Sequence, residues 1–178
     1  MTADPETSGP AGGAGAGPGS LVLRREAYDG QAASGLVDRV QQEYVVRYGG
    51  VDGTTVDPAE FSPPSGAFLV GYLAGVPVVC GGVRRRTDEV AEIKRMYTEP
   101  AYRRRGLSRV LLAALEDVAA GLGYAELWLE TGSRQPEAMA LYASAGYGRI
   151  PSYGYYRDSP ENACFGKVLA PADGPRER

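Results

Sequence analysis

The stretch Glu92-Ile93-Lys94-Arg95-Met96-Tyr97-Thr98-Glu99-Pro100-Ala101-Tyr102-Arg103-Arg104-Arg105-Gly106-Leu107-Ser108-Arg109 decides how this chain folds. Its first half reads as the end of a strand begun near Glu89, and Pro100 stops it. From Leu107 to about Leu122 the apolar residues recur at helical spacing, with Leu107, Val110, Leu111, Ala114, Leu115 and Val118 assigned to one face. A strand thus passes through a basic, glycine-bearing turn straight into an amphipathic helix. At a helix start the first backbone N–H groups lack partners, and the macrodipole adds partial positive charge. Gly106 lets a ligand approach the backbone closely, and Arg103, Arg104, Arg105 and Arg109 add charge. Such a turn suits a pyrophosphate. The plainer alternative is a solvated arginine run at the start of a surface helix.

Working outward, Leu21 to Ala27 reads as a first strand, and Asp29 is the expected cap of a helix running to about Tyr48. Its apolar members are Leu36, Val37, Val40, Tyr44 and Val45. Pro58 to Phe61 reads as one short turn. Strands are expected over Ala67 to Leu73 and Val76 to Val83, joined as a hairpin through Ala74-Gly75. Downstream, Ala125 to Thr131 alternates Leu127 and Leu129 against Glu126, Trp128 and Glu130. A helix follows from Glu137 to Ala145, and last strands fall near Tyr147 to Ile150 and Asn162 to Leu169. This order predicts a mixed α/β domain with one sheet and helices on both faces. That domain is expected to occupy residues 20–170. Residues 1–19, rich in Gly, Ala and Pro, are expected to form a disordered tail, and residues 171–178 a short polar one.

Composition narrows the chemistry. The chain has 178 residues and a formal net charge of −3, which argues against a nucleic-acid binder despite the arginine clusters at 84–86 and 103–105. It contains no histidine, so Ser-His-Asp and Cys-His triads are excluded and the commonest zinc ligand is missing. No metal is expected. Cys80 and Cys164 sit in apolar surroundings and read as buried free thiols. No apolar run reaches the roughly 18 residues of a membrane helix, and no secretory pattern opens the chain; both favour the cytoplasm.

Arg103 to Ser108, as R-x-x-G-x-S after Met96-Tyr97-Thr98-x-Pro100, resembles the acetyl-CoA motif Q/R-x-x-G-x-G/A of the GCN5-related N-acetyltransferases. A second match is Ala140-Leu141-Tyr142-Ala143-Ser144-Ala145-Gly146-Tyr147, similar to the family's A-x-x-L-Y-x-x-x-G-F/Y segment. Leu129-Glu130-Thr131-Gly132-x-x-Gln135-Pro136-Glu137-Ala138 and Arg149-Ile150-Pro151-x-Tyr153-Gly154-x-Tyr156 look like a bacterial subgroup of small acetyltransferases. The resemblance implies a central, mostly antiparallel twisted sheet in a single domain. It implies acetyl-CoA as co-substrate, its pyrophosphate held by amides from Arg104 through Leu107 and Ser108 to Arg109. Met96, Tyr97 and Thr98 would border the pantetheine and acetyl group, with Met96 and Thr98 offering main-chain groups. Tyr142 would protonate the departing thiolate. Ser108 departs from the family's Gly/Ala, but a serine is small and keeps its amide.

Glu92 stands apart. A central strand covered by helices is ordinarily apolar, yet this one carries Glu92, Lys94 and Arg95. It is expected to border a polar cleft or an edge. Ala91-Glu92-Ile93 resembles the segment of the histone-acetylating members whose glutamate is the general base. Glu92 is therefore the candidate base, with a structural ion pair to Lys94 or Arg95 as the simpler role and Glu130 as an alternative carboxylate. The expected activity is direct acetyl transfer to a primary amine of a small molecule or peptide. A CoA-binding module without turnover is the rival reading. Lys94 and Arg95 beside the cleft point to an acceptor bearing a carboxylate, such as an amino acid or a peptide end, and a homodimer is left open.

Overall fold

The computed structural model of the protein describes residues 20–170, so both expected tails, 1–19 and 171–178, lie outside the described residues. The elements in chain order are β1 (Val22–Glu26), α1 (Gln31–Tyr48), a 3-10 turn (Pro58–Phe61), β2 (Ala67–Leu73), β3 (Val76–Arg85) and β4 (Val90–Thr98). A second 3-10 turn (Pro100–Tyr102) leads to α2 (Leu107–Gly121), β5 (Glu126–Gly132), α3 (Pro136–Ser144), β6 (Gly148–Arg149) and β7 (Asn162–Val168). The seven strands form one sheet in the order β1-β2-β3-β4-β5-β7-β6. Every neighbouring pair is antiparallel except β4 with β5, which is parallel. None of the described helices is long and apolar enough to cross a membrane.

Two apolar clusters lie on opposite faces of the sheet. Leu107, Leu111, Leu112, Leu115 and Ala119 of α2 pack with Tyr142 of α3 against Val83, Ala91, Ile93, Leu127 and Leu129. On the other face Ala33, Leu36, Val37 and Val40 of α1 meet Phe61, Phe68, Val70, Cys80 and Tyr97. Both cysteines are buried and free.

Three local expectations need correction. Asp29 does not cap α1: Gly30 takes that place in extended conformation, with no side-chain cap bond. The Gly30 amide instead closes a turn onto the Ala27 carbonyl at 3.0 Å, which delays the helix by one residue. In α2, Val110 is 50% exposed, while Leu112 and Ala119 are buried. The buried row follows Leu107, Leu111 and Leu115 at i+4 spacing, which turns Val110 outward. In α1, Val45 is exposed for the same reason, one position beyond the buried face.

One irregularity positions everything that follows. In the β3–β4 register Cys80 faces Tyr97 but Gly82 faces Lys94, so Gly81 opposes both Arg95 and Met96. This is a β-bulge, and Arg95 takes a left-handed conformation in it, φ 58°. The extra residue reverses the alternation of β4. Ala91 and Ile93 face the α2 cluster, and after the bulge that face belongs to Met96 while Tyr97 joins the α1 cluster.

Candidate active site

β4 and β5 pair from Val90↔Glu126 to Ile93↔Leu129 and then part. Beyond that point β4 pairs only with β3, and β5 only with β7. The facing edges of the two strands therefore carry main-chain donors and acceptors with no ladder partner, a condition tolerated only where a ligand or water can reach them. A cavity of about 320 Å³ opens at the gap. Lys94, Arg95, Met96, Glu130 and Thr131 form its strand wall; Tyr44, Tyr48, Asp52, Tyr142 and Tyr156 close it from the helices and loops.

The basic turn lies just past the end of β4. Arg104 (φ 61°) and Gly106 (φ 78°) are both left-handed, and Gly106 is the N-cap of α2. Helical hydrogen bonding begins with the Arg109 and Val110 amides, which both donate to the Gly106 carbonyl, at 3.1 and 3.2 Å. The amides of Arg104, Arg105, Gly106, Leu107 and Ser108 have no backbone acceptor among the described residues. Five donors gathered at the positive end of α2 make an anion cradle. The arginines divide their work. Arg103 turns inward: its Nε donates to the Thr98 carbonyl at 3.0 Å and its Nη2 to Glu43 at 2.5 Å. Arg105 stacks over Tyr102, and Arg109 donates to Ser144 Oγ of α3 at 2.7 Å. Arg104 is exposed and, among the described residues, has no partner. Ser108 has a task of its own: its hydroxyl lies 2.9 Å from Thr98 Oγ1 and latches the end of β4 to the start of α2.

Tyr142 is 6% exposed and lines the cavity. Its hydroxyl reaches only Met96 Sδ, at 3.7 Å, a weak acceptor. Burial raises its pKa well above the usual phenol value, so it stays protonated and able to donate. Met96 shares the cavity wall with it, whereas Tyr97 faces α1 and Thr98 is turned to Ser108.

Glu92 does not line the cavity; it stands behind Lys94. Its carboxylate accepts from Arg84 Nε at 2.9 Å and lies 3.3 Å from Lys94 Nζ. Lys94 Nζ also reaches Glu130 Oε2 at 3.1 Å, and Asn162 donates to Glu130 Oε1 at 3.4 Å. An alternating row, Arg84, Glu92, Lys94, Glu130, thus crosses β3, β4 and β5 on the face away from α2. The expected pairing with Lys94 is present, while Arg95 pairs instead with Asp52. Burial pushes the Asp52 carboxyl up, but Arg95, the Thr54 amide at 2.9 Å and Lys94 together hold it below its usual value. Sequence reasoning left Asp52, Tyr44, Tyr48 and Tyr156 out of the site. Glu130 carried a signal, as a charge among the alternating residues of β5, and Gly154 another: a Cβ there would meet the Glu130 carboxylate at 2.9 Å.

A parallel strand pair that parts beside a helix start bearing free amides, with a buried tyrosine at the gap, is the architecture of an acyl-CoA-dependent acyltransferase. The profile of the acetyltransferase (GNAT) family matches residues 37–147, more than half of the chain. An IAA acetyltransferase of Azospirillum brasilense is 29% identical over 151 residues, covering 84% of this chain and 99% of its own. The uncharacterized N-acetyltransferase YjgM of Escherichia coli is 30% identical over 143 residues, covering 75% and 85%. Among solved structures, PaiA N-acetyltransferase of Thermoplasma acidophilum, in complex with coenzyme A, shares the fold at TM-score 0.63 and 14% identity, covering 84% of this chain and 99% of that one. The chain belongs to the GNAT acetyltransferase family, whose general reaction is acetyl-CoA-dependent N-acetylation.

Proposed function

We propose that the protein transfers an acetyl group directly from acetyl-CoA to the primary amine of a small molecule or peptide. The observation that carries this reading is the parting of β4 and β5 after Ile93↔Leu129, with a cavity at the gap and the α2 amide cradle beside it. Acetyl-CoA supplies an activated acetyl thioester. The amides of Arg104 to Ser108 hold its pyrophosphate, with Arg104 as the nearest uncommitted cation. Arg109, its amide already given to Gly106, contributes through its guanidinium and steadies α3 through Ser144. Main-chain groups of Met96 to Thr98 on the open strand edge align the acyl arm and its carbonyl oxygen.

Two carboxylates bridged by Lys94 serve the acceptor side. Glu130, on the cavity wall, takes the proton of the incoming amine; Glu92 acts one step removed, holding Lys94 and receiving the proton through it or through water. Tyr142 Oη donates to the departing sulfur. Direct transfer is favoured because no cysteine lines the cavity, and burial lifts the Cys80 thiol far above its usual pKa. Binding is tested by melting temperature: at about 100 times its dissociation constant acetyl-CoA adds roughly 2.7 kcal/mol. A melting point unmoved by millimolar acetyl-CoA refutes the reading, as does acetyl-CoA binding without thiol release over a broad panel of amines.

A further inference from the structure

The charges around the acceptor end of the cavity come in pairs of both signs. Lys94 is paired with Glu92 and Glu130, Arg95 with Asp52, and Arg84 behind them with Glu92 and Glu60. A zwitterionic acceptor meets groups of both signs here, at less desolvation cost than an acceptor bringing one unpaired charge.

The hydrogen-bond inventory is less even. Arg95 lines the cavity with its side chain 4% exposed; its Nη1 is given to Asp52, yet its Nε–H is buried with no acceptor. A guanidinium nitrogen cannot accept, so this group lacks an oxygen. Lys94 has three N–H donors and, among the described residues, two partners, Glu92 and Glu130. Two adjacent residues of β4 therefore hold unspent cationic donors. Beside them Glu130, with 3.1 Å between its Oε2 and Lys94 Nζ, offers acceptor capacity. Donors for an anionic oxygen and an acceptor for an ammonium stand side by side.

We propose, resting on the acetyl-transfer reading above, that the acceptor is a free α-amino acid whose carboxylate is held by Arg95 Nε and Lys94 while its amine meets Glu130. The closeness of Lys94 Nζ to Glu130 matches groups that share one carbon atom. Tyr44, Tyr48 and Tyr156 line the same cavity, together with polar Gln135 and Ser159, so an aromatic side chain such as that of phenylalanine finds rings to pack against. A peptide terminus, which lacks the neighbouring carboxylate, leaves the Arg95 donor empty.

The test compares phenylalanine, phenylalaninamide and phenethylamine as acceptors, by kcat/KM from CoA thiol release, alongside the twenty free amino acids. The expected result is an advantage of about tenfold or more for phenylalanine over both analogues, because they leave buried cationic donors unpaired. Arg95→Lys keeps a charge for Asp52 but removes the Nε–H, and is expected to collapse that advantage toward unity. An amide or decarboxylated amine accepted as well as the amino acid overturns the proposal, as does an undiminished preference in Arg95→Lys. If no free amino acid is acetylated while acetyl-CoA still raises the melting temperature, the acceptor is wrong and the acetyl-CoA site stands. If acetyl-CoA fails to bind, both fall.

Discussion

Replacing Tyr142 by phenylalanine removes a single oxygen, and the structure separates its two consequences. The ring stays, so the packing against Tyr147 and Phe165, with centroids 5.8 and 6.1 Å away, is kept. The oxygen's one contact is Met96 Sδ at 3.7 Å, a weak bond whose loss costs less than the roughly 1 kcal/mol of an ordinary hydrogen bond. For a chain of this size about 1 kcal/mol moves the melting temperature by roughly 2–4 °C, so the variant is expected to melt within that margin of the parent. A general acid contributes about 10²- to 10⁴-fold, or roughly 2.7–5.5 kcal/mol of barrier. The functional effect therefore exceeds the structural one severalfold. Tyr142→Phe is expected to lower turnover by that factor in a thiol-release assay, with acetyl-CoA affinity by calorimetry unchanged, since the proposed phosphate site on the α2 amides is untouched. Because burial holds the Tyr142 proton above the usual phenol range, the parent's rate is not expected to fall near pH 10 through this residue. A variant that melts normally and turns over at parental rate would show that Tyr142 is core packing and that water protonates the thiolate.

Gly106→Val places a branched residue at φ 78°, costing roughly 1–2 kcal/mol in the turn, but a Cβ there meets no protein atom within 4 Å. The expected outcome is a folded protein whose acetyl-CoA affinity drops at least about tenfold by calorimetry; normal affinity would place the phosphates elsewhere. Glu92→Gln strips charge from a carboxylate 3% exposed and paired to Arg84 and Lys94, and is expected to cost about 3 kcal/mol, or roughly 6–12 °C of melting temperature. Glu130→Gln is expected to hit turnover harder, by about 10²-fold or more, and a reversed order of the two variants in kcat would return the base role to Glu92. Burial raises the pKa of Tyr44, Tyr142, Tyr147 and Tyr153 above the usual 10.0. The unfolded chain then loses these protons first as pH rises, so stability present below about pH 10 is expected to fall above it. Tyrosine absorbance that titrated fully while the protein remained folded would contradict this.

The parts of this fold legible in the sequence are those written in local terms. The passage from β4 through Arg103–Gly106 to Leu107 shows itself because a proline stop, a positive-φ glycine and an i+4 apolar row are all short-range features. The bulge is not of that kind. Arg95 occupies a left-handed conformation that a long side chain seldom adopts, and nothing in Lys94-Arg95-Met96 announces it. It is imposed across strands, where Gly81 alone faces two residues. Without the bulge, alternation would put Met96 on the face of Glu92 and Lys94, and Arg95 on the face of α2. With it, Met96 comes beside Tyr142, Arg95 reaches Asp52, and the charged row ends at the cavity rather than in the core. The odd-looking run of charges on a central strand is thus resolved by one inserted residue. The partners of those charges were hidden for a related reason: Arg84 is fixed by register with β3, and Glu130 by its place across the gap, at 36 residues' separation from Lys94. A motif can mark a row of helix-start amides, because one turn holds them. The cavity is walled by residues of α1, β4, β5, α3 and β7 and of the loops after α1 and before β7, and their convergence exists only once the sheet has formed.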